Sequence, residues 1–391
     1  MRDLIEEDRV TLPAAYIHIP FCSAVCPYCD FAVVAGRDDM MKRYVAAVVA
    51  EIHMSPDWAP LHSIYFGGGT PSHIDPSMLG EILEALADRH GIAADAELSL
   101  EANPEDFTID QARQVRSLGF NRISFGAQSF DTEILTALGR RHLPGDIQLS
   151  VANARAAGFD NLSLDLIYGT PGETDLSWAS TVAAALQIAP DHLSCYALTV
   201  ERGTPLHRSV SGGAPAPDPD TQADRYEMAD RAIEASGLTR YEVSNWARPG
   251  KSCRYNLTVW AQGEYEAYGN GAHRFRDSVR SHNVRRIDAY VDRVESGVRP
   301  TSGEEAVEGW DRELDRLFVG LRTTHGVATG PGTTALLAAP EGEMLLRENV
   351  IEIRDGRMIV TRPLLTDEVL RAVLGLPAPA GAWNVMEPNN V

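Results

Sequence analysis

Apolar and polar positions alternate in short bursts along the first half of the chain, and between the bursts the apolar spacing lengthens to that of a helix. The stretches AAYIHI (14–19), HSIYF (62–66), AELSLE (96–101), NRISF (121–125), NLSLDLI (161–167) and HLSCYAL (192–198) read as strands. Helix-like segments fall between them at 39–54, 76–90, 108–118, 144–157 and 174–188. Asp75 before Pro76, and the run Thr174, Asp175, Leu176, mark two helix starts. Gly119 and Gly158 stand just past two helix ends, where a left-handed cap is wanted. Strand–helix alternation of this kind predicts an α/β fold with a parallel sheet and right-handed crossovers. Periodicity alone leaves a doubly wound sheet and an open barrel both standing.

The texture changes after Val200. A Pro/Gly-rich loop at 211–222 leads into a predicted helix at 223–236, YEVSNW (241–246) reads as a strand, and Gly-rich text runs over 250–275. A helix is predicted at 304–322, and NVIEIRDGRMIVTRP (349–363) carries Asp355-Gly356 between two β-rich arms, a two-residue hairpin signal. Helices followed by a hairpin predict a small winged-helix-like module with a packing or lid role. The expected division is 12–240 as core, 241–300 as a flanking segment, 301–375 as the module and 376–391 as a disordered tail.

Composition narrows the class. The chain has 391 residues, 44% of them apolar, an ordinary globular fraction. Its start, MRDLIEEDRV, is too charged for a signal peptide. Runs such as YVAAVVA fall far short of a membrane span, so no transmembrane segment is expected and contact with membrane proteins would be transient. With 35 basic and 55 acidic side chains the net charge is −20, which argues against nucleic acid as a partner. The local cluster Arg140, Arg141, His142 reads as a ligand contact or a solvated loop. Five cysteines are too few for a disulfide scaffold, so a reducing, cytoplasmic setting is expected.

Three of those cysteines lie together. YIHIPFCSAVCPYCDF (16–31) places Cys22, Cys26 and Cys29 at C-x-x-x-C-x-x-C spacing on the loop after the first strand. They could be buried small hydrophobes, although their Pro and aromatic neighbours favour a loop. They could hold zinc with His18 as fourth ligand, or an iron–sulfur cluster. Ferredoxin-type sites supply four cysteines, whereas Cys195 and Cys253 are isolated here. Three thiolates would hold three irons and leave the fourth open. YFGGGTPS (65–72) follows the second strand, as a tight turn or as a place where bare backbone approaches a ligand. Glu101, Gln128 and Asp165 stand at the ends of successive strands, each by itself an ordinary loop anchor.

The cysteine triplet and the Gly-Gly-Gly-Thr-Pro segment resemble the radical-SAM superfamily, in which S-adenosylmethionine chelates the open iron of a 4Fe–4S cluster. The resemblance implies a partial (β/α)₆ barrel with ligands at the carboxyl ends of the strands. From about Tyr16 to Tyr255 and beyond, the segments are similar to the coproporphyrinogen-oxidase-like branch. That likeness implies Cys22, Cys26 and Cys29 as cluster ligands. It implies Tyr16, Tyr28, Gly68, Gly69, Thr70, Glu101, Gln128, Arg140 and Asp165 as contacts of S-adenosylmethionine. No catalytic residue is assigned.

Within the branch, oxygen-independent coproporphyrinogen III oxidases carry an extra cysteine two positions after the third, and a longer amino-terminal segment. The haem chaperones lack both. Here Phe31 stands at that position and fifteen residues precede Tyr16, while CPYCDF, ANPE, DLIYGTPGE, YEVSNWARPG and FVGLRTTHGV all look like the chaperones. The expected function is therefore haem binding and delivery to acceptor proteins. The oxidase and a divergent radical-SAM methyltransferase or cyclopropanase are the alternatives. One segment departs: the chaperones usually read His-Asn-x-x-Tyr-Trp where this chain has Tyr255-Asn256-Leu257-Thr258-Val259-Trp260. A haem-ligand role of that histidine would pass to Tyr255, whose phenolate can bind iron, to His273, or to neither.

Overall fold

The computed structural model describes residues 12–379. The charged start at 1–11 and most of the expected tail, 380–391, lie outside the described residues. Strands and helices alternate through the first half as β1 (Ala14–Ile19), α1 (Met41–Met54), β2 (Leu61–Gly68), α2 (Pro76–Arg89), β3 (Ile92–Ala102), α3 (Ile109–Ser117), β4 (Arg122–Gln128), α4 (Pro144–Ala156), β5 (Leu162–Tyr168), α5 (Asp175–Gln187) and β6 (His192–Ala197). The two expected helix starts are built as the sequence implies. Asp75 accepts from the Ser77 amide ahead of Pro76, and Thr174 accepts from the Ser177 amide.

Strands β1 to β6 pair in chain order, all parallel. This sequential order without a reversal is that of a barrel wall, not of a doubly wound sheet. Parallel strands covered on both faces need apolar residues on both, and β1 shows it: only Tyr16 of its six residues is not buried. The helices close over a core that includes Phe66, Phe125, Trp178 and Trp246, with Phe66 packed edge-on to Phe120 at 5.1 Å.

Beyond β6 the chain departs from the sequence expectation in several places. A longer helix, α6 (Pro219–Ala235), starts at Asp218, whose carboxylate accepts from the Thr221 amide. The predicted strand 241–246 is two short strands, β7 (Thr239–Glu242) and β8 (Asn245–Ala247), folded back on each other. The Gly-rich stretch is not loop throughout. It holds α7 (Arg254–Trp260), β9 (Tyr265–Tyr268) and β10 (His273–Arg276), with β9 pairing parallel to β1 on the side away from β2. Next come β11 (Val279–Asn283), α8 (Ile287–Glu295) and β12 (Thr301–Ala306), which extend the sheet antiparallel from β9 in the order β10, β11, β12.

The helix predicted over 304–322 begins only at Gly309, as α9 (Gly309–Gly320). Residues 304–306 are strand because their backbone pairs with β11, and the apolar face of the helix starts at Trp310. A second hydrophobic cluster, from Trp310 to Leu376, then follows the winged-helix order: α9, a short strand (Val327–Ala328), two helices (Pro331–Ala338, Pro340–Arg347), the hairpin Ile351–Arg354/Arg357–Val360 and a last helix (Thr366–Leu374). Asp355 and Gly356 both take positive φ, 51° and 75°, as the two-residue turn requires. The module is tied to the sheet through backbone bonds from Val243 to Arg322 and from Thr324 to Tyr241.

Candidate functional site

The loop that follows β1 is stapled at its base. Phe21–Cys22 pairs parallel with Val34–Ala35, and within the loop the Cys29 amide donates to the Cys26 carbonyl at 3.1 Å. Cys22, Cys26 and Cys29 are free and half-buried. Two of the thiols receive hydrogen bonds from the barrel: Thr70 Oγ1 donates to Cys22 Sγ at 3.6 Å, and Arg140 donates to Cys26 Sγ at 3.5 Å. Asn103 joins these donors, giving its amide to Thr70 Oγ1 at 3.1 Å and accepting from Arg140 at 2.6 Å. One chain of hydrogen bonds therefore runs from Cys22 through Thr70, Asn103 and Arg140 to Cys26.

Burial pushes the Cys22 thiol up to about 11, against the Thr70 hydrogen bond that pulls it down, and burial raises Cys29 as well. Thiols in this setting ionise only when positive charge arrives, as metal binding provides. Among the described residues no group of three or more His, Cys, Asp or Glu side chains is placed to hold a single metal ion. A cluster asks for less convergence, since each thiolate binds a different iron. His18 is no free zinc ligand either. Its Nε2 lies 3.1 Å from the Ala32 carbonyl and its Nδ1 3.3 Å from the Tyr16 hydroxyl, and burial lowers its pKa to about 4. The donor set fits an iron–sulfur cluster better than zinc.

The glycine run is needed first for packing. A Cβ on Gly68, whose φ is 112°, would lie 2.4 Å from the His18 ring, and one on Gly69 would lie 2.8 Å from the Pro20 backbone. Close approach lets the Gly69 and Thr70 amides bond the Ile19 and Phe21 carbonyls, each at 2.8 Å, so the end of β2 braces the cysteine loop. The Gly68 amide also donates to Glu101 at 3.0 Å, and Tyr65 donates to the other carboxylate oxygen at 2.8 Å.

A cavity of about 500 Å³ opens at these strand ends. The three cysteines line it together with Tyr28, Gly68, Gly69, Thr70, Glu101, Gln128, Arg140 and Asp165. Of the residues implied as S-adenosylmethionine contacts, only Tyr16 lies elsewhere, half-buried in the wall of a neighbouring cavity. Glu101 is pushed up to about 7, by burial first and by nearby Asp165, while Tyr65 and Gly68 pull the other way. Asp165 is raised by burial although Ser124 reaches both its oxygens at 3.0 Å. Two half-buried carboxylates on the wall of one cavity favour a ligand that brings a cation and hydroxyl donors. Gln128 takes a φ of 61° beside an irregularity in the β4–β5 register, which sets its side chain into the cavity wall. Asn103 and Arg122 are the functional residues the sequence reading passed over. Asn103 sits inside the noted ANPE segment, and Arg122, buried at the cavity wall, is the one charged residue of β4.

The neighbouring cavity, about 880 Å³, is walled by Tyr16, Tyr255, Trp260 and Tyr265 and carries His273, His282, Arg285 and Arg322. Asp30, Phe31, Tyr196 and Asn256 line both cavities, so the two adjoin.

Comparison with known proteins fits this geometry. The model of the Radical SAM superfamily matches residues 16–185. The Heme chaperone HemW of Mycobacterium tuberculosis is 37% identical, over 92% of this chain and 94% of its own length. The chain belongs to the HemW family of the radical SAM superfamily. The Synechocystis HemW is 38% identical over 80% of this chain and 79% of its own. The fold is also that of the Escherichia coli coproporphyrinogen III oxidase HemN, with a TM-score of 0.80 over 95% of this chain and 93% of that one, at 21% identity. Membership of a radical SAM family brings with it a 4Fe–4S cluster and S-adenosylmethionine. In this HemW-family chain Phe31, 63% exposed, stands where the two cavities meet. Tyr255 stacks among Tyr16, Tyr65 and Tyr265 at centroid distances of 5.9, 5.4 and 5.7 Å, and burial pushes its hydroxyl well above the usual 10. A phenolate is unfavourable there. No helix among the described residues is long and apolar enough to cross a membrane.

Proposed function

We propose that this protein is a haem chaperone of the radical-SAM type. It takes haem into the aromatic cavity, carries a 4Fe–4S cluster on Cys22, Cys26 and Cys29, and passes haem to acceptor proteins. S-adenosylmethionine would occupy the 500 Å³ cavity, where Glu101 and Asp165 meet its hydroxyls and amino group and the glycine run lets backbone approach it. When bound, a reduced cluster supplies an electron to the sulfonium. The protein's own part is to fix the thiols through Thr70 and Arg140 and to hold the Glu101 carboxylate through Tyr65 and the Gly68 amide. The acidic, cysteine-poor composition suits a reducing cytoplasm.

The observation that carries this reading is the large aromatic cavity with basic and imidazole groups adjoining the cysteine cavity, in a chain whose relatives are named haem chaperones. The test is to supply the pure, cluster-loaded protein with coproporphyrinogen III and S-adenosylmethionine under reducing, oxygen-free conditions. No protoporphyrinogen IX should form. Sustained turnover would make the protein an oxidase instead.

A further inference from the structure

His273 on β10 and His282 on β11 face each other directly across the antiparallel pair. Their rings stack, with centroids 5.2 Å apart and planes within 22°. Both are exposed to the 880 Å³ cavity, and neither ring makes a hydrogen bond or ion pair with another described residue. The next strand makes room for them. Gly303 stands opposite His282, and a Cβ there would come within 2.5 Å of the ring. Two stacked imidazoles left without partners, on a row cleared by a glycine, are arranged for a ligand and not for packing. Burial, His282 and the cations Arg280 and Arg285 lower the His273 pKa, which keeps a lone pair available.

The rest of the cavity matches a flat, apolar, iron-bearing molecule with acidic edges. Tyr16, Tyr255, Tyr265 and Trp260 offer ring faces. Arg285 is exposed, and its guanidinium has no partner among the described residues. Arg322 lies over the Trp260 and Phe318 rings and pairs with the exposed Asp367 at 3.5 Å. Tyr255 is the weaker candidate for the iron, since its hydroxyl resists ionisation.

We propose that the His273–His282 pair supplies the axial ligand of the haem iron in this cavity, with Arg285 as the counter-charge of a propionate. This rests on the haem-chaperone reading and names the site through which the chain performs it. The position is also coupled to the cysteine loop. The Ala32 carbonyl, three residues past Cys29, accepts from both His18 and Asn270, and Asn270 lies three residues before His273.

The test is a spectroscopic titration of the cluster-loaded protein with ferric haem. The wild type should take up about one equivalent with an imidazole-type Soret band. The His273→Ala/His282→Ala double variant should lose that band and bind at least about tenfold more weakly, with cluster content unchanged. Gly303→Val, which displaces the His282 ring without removing either imidazole, should shift the band. His273→Gln, which preserves polarity, should not restore it. Exposed His53 lies outside the cavity, and His53→Ala should behave as wild type. A wild type that takes up no haem removes the haem-chaperone reading itself. If the wild type binds haem but the double variant keeps both band and affinity, or Tyr255→Phe alone abolishes the band, this ligand assignment is overturned and the chaperone reading survives.

Discussion

Asn103 shows how a neutral side chain can set the chemistry of a site it does not perform. It holds Thr70 and Arg140 in the positions from which they donate to Cys22 and Cys26. Replacing any one of the three loop cysteines by Ser should abolish a cluster of about four irons and four sulfides per chain. Cys195→Ser and Cys253→Ser, both at fully buried positions, should retain it. Iron and sulfide analysis after oxygen-free reconstitution checks this. Asn103→Ala should leave the cluster in place but make it more labile to oxygen, read as the decay of its visible absorption. At the other side of the cavity, Glu101→Ala and Asp165→Ala should each weaken S-adenosylmethionine binding about ten- to a hundredfold, the worth of one charge-assisted hydrogen bond. Because Glu101 titrates near 7, affinity should climb as pH rises from 6 to 8, and Glu101→Gln should flatten that dependence. Equilibrium dialysis across pH measures both.

Among the elements, one buried carboxylate on α1 gathers three donors from the segment after β9. Glu51 accepts from the Gly269 amide at 2.9 Å, from Asn283 at 2.7 Å and from the Tyr290 hydroxyl at 2.6 Å, and burial pushes it up to about 7. Glu51→Leu would strand three buried donors and should cost roughly 3 kcal/mol or more in chemical denaturation. A raised carboxylate binds its proton more tightly in the folded than in the unfolded chain. Glu51 therefore stabilises the fold most at low pH, and its contribution falls between the unfolded value near 4.5 and about 7. Glu51→Gln should remove that part of the slope. This segment was the least legible in the sequence. Tyr265–Tyr268 is only four residues long, too short to display a period, and its strand character comes from pairing with β1. The strand Thr301–Ala306 reads as polar helix for the same reason: its burial pattern is mostly exposed, and only β11 gives it a partner. The six parallel strands were legible because each carries its own apolar run between capped helices.

Over the whole molecule, the barrel gathers residues more than a hundred positions apart, such as Cys26 and Arg140, at one end of the sheet. The cysteine spacing and the glycine run announced that end in the sequence because both are local. The adjoining aromatic cavity was not legible, apart from Tyr255 and His273. Its walls come from β1, the cysteine loop, β6 to β8, α7, β9 to β12 and Arg322 just past α9, and no single stretch displays them. On the proposed function, the two cavities hold two different groups at once, a cluster beside the barrel mouth and haem beyond Phe31. The most direct measurement is non-haem iron, acid-labile sulfide and haem in one oxygen-free sample after haem loading. About four non-haem irons, four sulfides and one haem per chain are expected together. Haem uptake that expels the cluster, or a cluster-loaded protein that retains no haem, would contradict that reading.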